Sequence, residues 1–488
     1  MVNFSSIAVV NFSIDEHNIG VPSILGTVGL ALFCSWDSLG FFSQVLSSVS
    51  VYTLEFEHLL RLVSLCAFTV TLFSVRRFTN TFSTATHRTR LLVTAAVLGS
   101  LPAVLTVCNS QGLTVPAPLA VVSWTGFGAA SAPLILLWGT FSCTLHRRRA
   151  ILLTAVSYAA GALWYILISY LEPTVGVIAT EITLLLSVGL LTGRSGILTP
   201  VETMDIRVSR EHLDLWVKTA FRVVFEGTVF GLMLYLVVSG TDALKPTLVI
   251  GSAYVIAGAL IAVPVQLRVH RLVLWGTIQR ISFPLLVAGL LVIPFADADV
   301  RMLCAFVLLL VFACYDISMW GLLAILGNEH KVQRIYHYSR GRSTITLGLS
   351  IGWGLGYFLT YSPVGDATTM LIVSLGLALA LVVMDAIVPY GSDHLAVLEV
   401  PERYVHSTPG SWRERCAKVA EEHALSPREF DVFVLLAKGR NVAHIERSLG
   451  ISGRTVKTHV YRIYKKLGVN AQQELIDLVE NASSEKFI

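Results

Sequence analysis

Charge is what this sequence has least of. Only 14% of its 488 residues are Asp, Glu, Lys or Arg, against about a quarter in soluble domains, while 54% are hydrophobic and the mean hydropathy is +0.69. So few charges cannot cover a water-soluble chain of this length, and a membrane protein is the first expectation. Cysteine is sparse and scattered. The seven, at positions 34, 66, 108, 143, 304, 314 and 416, form no CxxC pair and no cluster with histidine, which argues against a zinc or redox centre. The first six lie in apolar stretches and read as packing residues. The opening residues, MVNFSSIAVVNFSIDEH, lack the basic start, apolar middle and small-residue cleavage site of a secretory leader. The first apolar span is therefore expected to stay as an anchor. Nucleophile, metal and nucleotide motifs are missing too, so the expectation is no enzyme, no catalytic residue, no metal and no cofactor.

What is present is a series of apolar runs. A helix that crosses a bilayer needs about 20 mostly apolar residues. Runs of that kind lie at roughly 20–43, 58–75, 90–108, 116–143, 150–171, 174–193, 219–239, 246–267, 277–295, 302–326, 343–361 and 369–390. The fourth is long enough to tilt or to break near Pro133, and Asp37 and Arg280 interrupt the first and the ninth.

Basic residues alternate between the loops. Cytoplasmic loops collect Lys and Arg. Even-numbered loops and their flanks carry Arg76, Arg77, Arg88 and Arg90; Arg147, Arg148 and Arg149; Arg194, Arg207, Arg210 and Lys218; Arg268, Arg271 and Arg280; and Lys331, Arg334, Arg340 and Arg342. Odd-numbered loops hold Lys245 and Arg301, with Arg61 just inside the second span. A missed or invented span would break this alternation, so it predicts both termini in the cytoplasm. The domain order expected is an N-terminal tail (1–19), six spans (20–193), a central cytoplasmic loop (194–218), six more spans (219–390), a linker (391–410) and a soluble domain (411–488). The six-plus-six layout resembles that of major facilitator transporters. The loop SVRRFTNTFSTATHRTR after the second span has neither the glycine nor the aspartate of that family's usual pattern.

Beyond residue 390 the composition becomes that of a soluble protein. Pro401, Pro409 and Gly410 punctuate the linker. SWRERCAKVAEEHAL predicts a short helix from Ser411. Ser426-Pro427-Arg428-Glu429 combines a capping box with proline at the first helical position, and Gly439 ends that helix. Asn441 predicts the cap of a second helix ending at Gly450. Ser452 predicts the cap of a third, running to Leu467 and stopped at Gly468, and Asn470 with Gln473 opens a fourth. In the third helix Val456, Val460, Ile463 and Leu467 form an apolar stripe, while Arg454, Thr455, Lys457, Thr458, Tyr461, Arg462 and Lys465 occupy the other faces. A basic helix behind a short helix and tight turn suits the DNA major groove, with N-terminal side chains at base edges and Arg and Lys on phosphates. His459 beside the stripe reads as a packed or backbone-bonded residue rather than a ligand.

These residues resemble the LuxR-type helix-turn-helix of the LuxR/NarL class. The resemblance is carried by Leu425, Arg428-Glu429, Gly439, Ile445, Leu449, Ile451-Ser452, Thr455-Val456-Lys457, His459 and Lys466-Leu467-Gly468-Val469. Glu446, Gln472 and Tyr461 depart from the residues usual in that class. The resemblance implies a DNA-binding transcription regulator that often acts as a dimer, with Lys457, Thr458 and Tyr461 on the DNA-contacting helix and Thr455 and Arg462 close by. No receiver-domain signature precedes the unit.

The fold class expected is therefore all-α: a polytopic bundle of about twelve spans followed by a four-helix LuxR-type domain. Ionisable residues inside spans are costly and point to function. They include Asp37, Glu181, Arg222, Glu226, Asp316 and Asp385. One arrangement puts Asp37, Glu226 and Asp316 around a small polar or cationic ligand with Trp36, Trp320 and Trp353 as walls; the other makes them hydrogen-bond partners that fix packing. Small residues in GWGLG at 352–356 predict close helix approach. LuxR-type domains fused to many-spanning segments resemble one-component sensors of the bacterial plasma membrane. The partners expected are double-stranded DNA, membrane lipid, a small-molecule inducer, a second copy in a homodimer, and RNA polymerase for an activator. A transporter with a regulatory tail, and a membrane protein whose tail only binds protein, are the other readings.

Overall fold

The computed structural model describes residues 21–46, 52–75, 85–145, 147–192, 210–239, 244–267, 271–292, 295, 297–329, 334–363, 367–387 and 412–481, the last apart from 438, 450 and 470. The chain divides into two compact units, the first holding the helices up to residue 387 and the second those from 412 onward.

In the first unit the helices are α1 (Val21–Phe42), α2 (Leu54–Val75), α3 (Ala85–Gly99), α4 (Leu101–Ser110), α5 (Ala117–Ser142), α6 (Arg147–Ser169), α7 (Pro173–Thr192), α8 (Arg210–Val238), α9 (Leu244–Gln266), α10 (Arg271–Val292), α11 (Ala298–Glu329), α12 (Arg334–Tyr361) and α13 (Ala367–Ile387). With α3 and α4 taken as one broken rod they match the twelve expected runs. Ten rods among the described residues are long and apolar enough to cross a membrane. The other two, α10 and α12, include arginines: Arg271 and Arg280 in one, Arg334, Arg340 and Arg342 in the other.

The interruption falls elsewhere than expected. Pro133 sits inside an unbroken α5. The break comes at Ser100, two residues before Pro102, whose ring nitrogen has no hydrogen for the carbonyl four residues back. Helices also begin earlier than the apolar runs do. Residues 210–218, expected as loop, form the first turns of α8, and Arg340 and Arg342, counted as loop charges, lie within α12. Polar residues continue a helix readily once apolar packing has established it.

Within the first half α1 packs on α6 and α7, and α2 and α3 on α5; in the second, α8 packs on α12 and α10 on α11 and α13. The halves meet through α6 on α9 and α2 on α12. The closest pairing is α8 with α12. A Cβ added to Gly352 would lie 2.0 Å from the Thr228 carbonyl oxygen, and one on Gly348 2.4 Å from that of Val224. Glycine lets these backbones touch where no other residue fits. Within GWGLG, Gly352 and Gly356 serve this approach, whereas Gly354 meets only Leu62 at ordinary contact distance.

The second unit contains α14 (Trp412–Glu422), α15 (Pro427–Ala437), α16 (Val442–Leu449), α17 (Gly453–Leu467) and α18 (Gln472–Asn481). Phe433, Ile445, Val456, Ile463, Leu475 and Val479 form its own apolar core. The expected caps are in place. Ser426 Oγ accepts from Glu429 N, while Glu429 Oε2 accepts from Ser426 N at 2.9 Å. Asn441 Oδ1 accepts from His444 N at 2.9 Å, and Ser452 Oγ from Thr455 N at 3.2 Å. Gly468 ends α17 at φ +69°, in the left-handed region. Asn470 lies outside the described residues, as do the N-terminal tail, the linker and residues 194–209 of the central loop.

Candidate DNA-binding face and membrane cavity

The recognition helix α17 separates its two faces by burial. Val456 and Ile463 are fully buried, and Leu467 nearly so. Arg454, Thr455, Lys457, Thr458, Tyr461, Arg462 and Lys465 are all exposed. Tyr461, 70% exposed, is the one large hydrophobic side chain held out into solvent among the described residues of this unit. The face is basic, with four of its seven residues Arg or Lys. Thr455 and Lys457 lie in its first turns, Arg462 beyond its middle and Lys465 in its last turn. His459 is packed rather than backbone-bonded: its Nδ1 is enclosed with no hydrogen-bond partner among the described residues.

Lys466 belongs to this unit in a way that the sequence did not signal. Its Nζ donates to Glu429 Oε2 at 2.8 Å and to the Ala424 carbonyl at 2.8 Å. The ammonium and the Ser426 backbone N–H together hold the Glu429 carboxyl down at about 2. The last turn of α17 is thereby tied to the capping box of α15, so the exposed face is carried on a fixed scaffold. Gln472 adds to this by donating from Nε2 to the carbonyls of Leu436 and Arg440.

In the membrane unit the six expected ligand residues do not converge as a set. Asp37 and Asp316 line one cavity of about 60 Å³, and Trp320 stands one layer behind it. Trp36 is instead fully buried against Phe127, with ring centres 4.7 Å apart. Trp353 packs edge-on to Tyr235 and donates to the His58 carbonyl. Glu226 accepts from Arg222 Nε at 3.1 Å, the one-turn pairing expected from their spacing. Arg222 also reaches Asp385 on α13 at 2.8 Å. Packing thus claims Trp36, Trp353 and Glu226, because each is sealed into an interface by its own partner.

Arg342 is the residue that the sequence reading misplaced. It is 7% exposed, forms an ion pair with Asp316, lies 5.1 Å from the Trp320 ring centre, and donates to the Tyr158 hydroxyl. Tyr158 stacks on Tyr254 at 5.7 Å. The available signal was one of charge balance: a mid-span aspartate needs a cation, and Arg342 directly precedes an apolar run. Glu181 lies apart, beside Ser100 at the broken rod.

Comparison with known proteins divides along the same line as the fold. Residues 423–479 match the family described as bacterial regulatory proteins, luxR family. The same region is 44% identical over 61 residues to the probable transcriptional regulatory protein NarL of Mycobacterium tuberculosis, covering 12% of this chain and 27% of that protein. It is 38% identical over 65 residues to the transcriptional regulatory protein YdfI of Bacillus subtilis, covering 13% of this chain and 30% of that protein. The chain thus spans under a third of the length of the curated relatives it matches. A crystal structure of the human organic anion transporter MFSD10 (TETRAN) superposes with a TM-score of 0.50 at 15% identity, covering 74% of this chain and 98% of that one. The C-terminal unit is a LuxR-type helix-turn-helix domain, and the N-terminal unit is a bundle of helices, ten of them long and apolar enough to cross a membrane among the described residues, that shares the fold of that transporter.

Proposed function

We propose that this chain is a membrane-bound one-component transcription regulator. The observation that carries the reading is a single chain joining a transporter-fold bundle to a luxR-family domain whose basic recognition face is exposed. In this reading both termini lie in the cytoplasm of a bacterial cell, the C-terminal unit binds double-stranded DNA by sequence, and the membrane unit detects a small molecule. It has no catalytic role. Partners in the same reading are a second copy of the chain and, for an activator, RNA polymerase.

Ligand detection is placed at the cavity of Asp37, Asp316 and Arg342. Its walls come from both halves of the bundle, so a ligand that fits one packing of the halves better shifts their population. The exit route is α13, whose chain leads on to the DNA-binding unit. That helix is the least buried of the candidate spans, and Asp385 latches its end to Arg222 on α8. Because α8 is locked to α12 by backbone contact, and α12 carries Arg342, motion at the cavity is handed to the start of the linker.

The test is a promoter footprint with the full chain in membrane vesicles, alongside a reporter strain. Protection of a discrete site that is lost on mutation of α17 supports the proposal. No protected duplex at low salt sinks it. The transporter fold also favours a second reading, uptake of a solute, and solute accumulation in sealed vesicles would support that instead.

A further inference from the structure

The polar groups around the membrane cavity do not cancel. Counted as ionised, Asp37, Asp316 and Arg342 leave one negative charge. Arg342 is committed to Asp316, with Trp320 against its other face and the Tyr158 hydroxyl at its end. Asp37 has the Ser131 hydroxyl as its neighbour, yet its Oδ1 is enclosed without a donor among the described residues. Arg342 Nε is likewise enclosed without an acceptor among the described residues, on a residue more than nine-tenths buried. Both residues line the same cavity as Tyr158, Tyr165 and Tyr254.

A group that completes this site brings a donor for the carboxylate and an acceptor for the guanidinium. A cationic donor and a neutral acceptor compensate an ionised Asp37 in this enclosed site, whereas a zwitterion would leave its charge uncompensated. Tyrosine rings beside the carboxylate favour a cation over their faces. Size is limited as well. The cavity holds about 60 Å³, and ~10–15 Å³ of such space accommodates one water, so it suits a ligand of about four to six non-hydrogen atoms.

Resting on the sensing role assigned above to this cavity, we propose that the membrane unit binds a small amino alcohol. The ammonium pairs with Asp37 against the stacked rings of Tyr158 and Tyr254, and the hydroxyl oxygen accepts from Arg342. The two aspartates then differ in role: Asp316 holds Arg342 in place, and Asp37 meets the ligand.

The test uses the full chain purified in detergent, with binding of ethanolamine followed by calorimetry and by the rise in thermal midpoint. Ethylene glycol, a neutral molecule of similar size, and glycine, a zwitterion, serve as comparators. Ethanolamine is expected to bind at millimolar concentration at least tenfold more tightly than either. Asp37→Asn is expected to abolish that preference, and Glu181→Gln, which lies apart from the cavity beside Ser100, to keep it. If the Asp37 variant does not fold, the comparison of the three probes on the unaltered chain still decides. Equal binding of ethylene glycol, tighter binding of glycine, or no ethanolamine binding at all overturns the proposal. The sensing role is read separately, from operator protection with and without the probe. Binding without a change in protection leaves the ligand assignment standing and removes the sensing role.

Discussion

Glu429→Gln isolates one charge that ties the recognition helix to its scaffold. The Glu429 side chain is 5% exposed and meets Lys466 Nζ at 2.8 Å. In the folded unit its carboxyl titrates at about 2 instead of the ordinary 4.5. At about 1.36 kcal/mol per pH unit, that gap sets a ceiling of about 3 kcal/mol. Lys466 is 39% exposed, so solvent screens part of the attraction and about 2 kcal/mol is the better figure. Glutamine keeps the shape of the capping box and loses the charge, so a loss of about 1–2 kcal/mol is expected at pH 7. For a domain of this size that lowers the melting temperature by on the order of 10 °C. The folded value lies below the unfolded one, so the contribution is complete above pH about 4.5 and disappears as the pH falls toward 2. Circular-dichroism melts of a 411–488 fragment and its Gln variant, taken from pH 7 downward, should therefore converge in acid. Equal melting temperatures at pH 7, or a gap that does not change with pH, would rule out a stabilising charge pair between Glu429 and Lys466.

Three further predictions concern the DNA face and the bundle. Lys457→Ala is expected to cost about 1–3 kcal/mol of discrimination between operator and random DNA without altering the melting temperature, whereas Arg462→Ala or Lys465→Ala should weaken binding to all sequences and lower the salt slope by about 1; titrations at several salt concentrations tell these apart. Gly352→Ala places a methyl 2.0 Å from the Thr228 carbonyl oxygen and should destabilise the detergent-purified chain by roughly 1–3 kcal/mol, while Gly354→Ala should be silent; equal midpoints for the two variants would contradict the close-packed α8–α12 interface. Asp316→Asn leaves Arg342 charged and enclosed, at an expected cost of about 3–5 kcal/mol, and Asp316→Leu combined with Arg342→Met should recover much of it. A double variant less stable than the single one would count against an enclosed pair.

Much of this architecture was legible before any coordinates. Twelve runs, the caps at Ser426, Asn441 and Ser452, and the stop at Gly468 are local features: each depends on a few neighbouring residues and on the period of apolar side chains. The exposed basic face of α17 was equally legible, because an amphipathic helix with one stripe committed to the core must expose the rest. The Arg222–Glu226 pair followed from one-turn spacing alone.

Other features depend on which rods lie side by side, and spacing along one helix carries no such information. Six ionisable or aromatic span residues looked equivalent in the sequence, yet packing enclosed Trp36 against Phe127, Trp353 against Tyr235 and Glu226 against Arg222. It left Asp37 and Asp316 at a shared cavity with Arg342, a residue whose position at the edge of an apolar run reads as a loop charge. Lys466 counts in the sequence only toward the family resemblance, and its tie to Glu429 appears once α17 is folded onto α15. Capped helix ends in the C-terminal unit and the apolar faces are set within a turn or two, so they are legible from the residues alone, whereas the starts of α8 and α12 are not. Which further charges pair depends on how the helices pack, because those partners lie on different helices, 26 residues apart for Asp316 and Arg342 and 163 apart for Arg222 and Asp385.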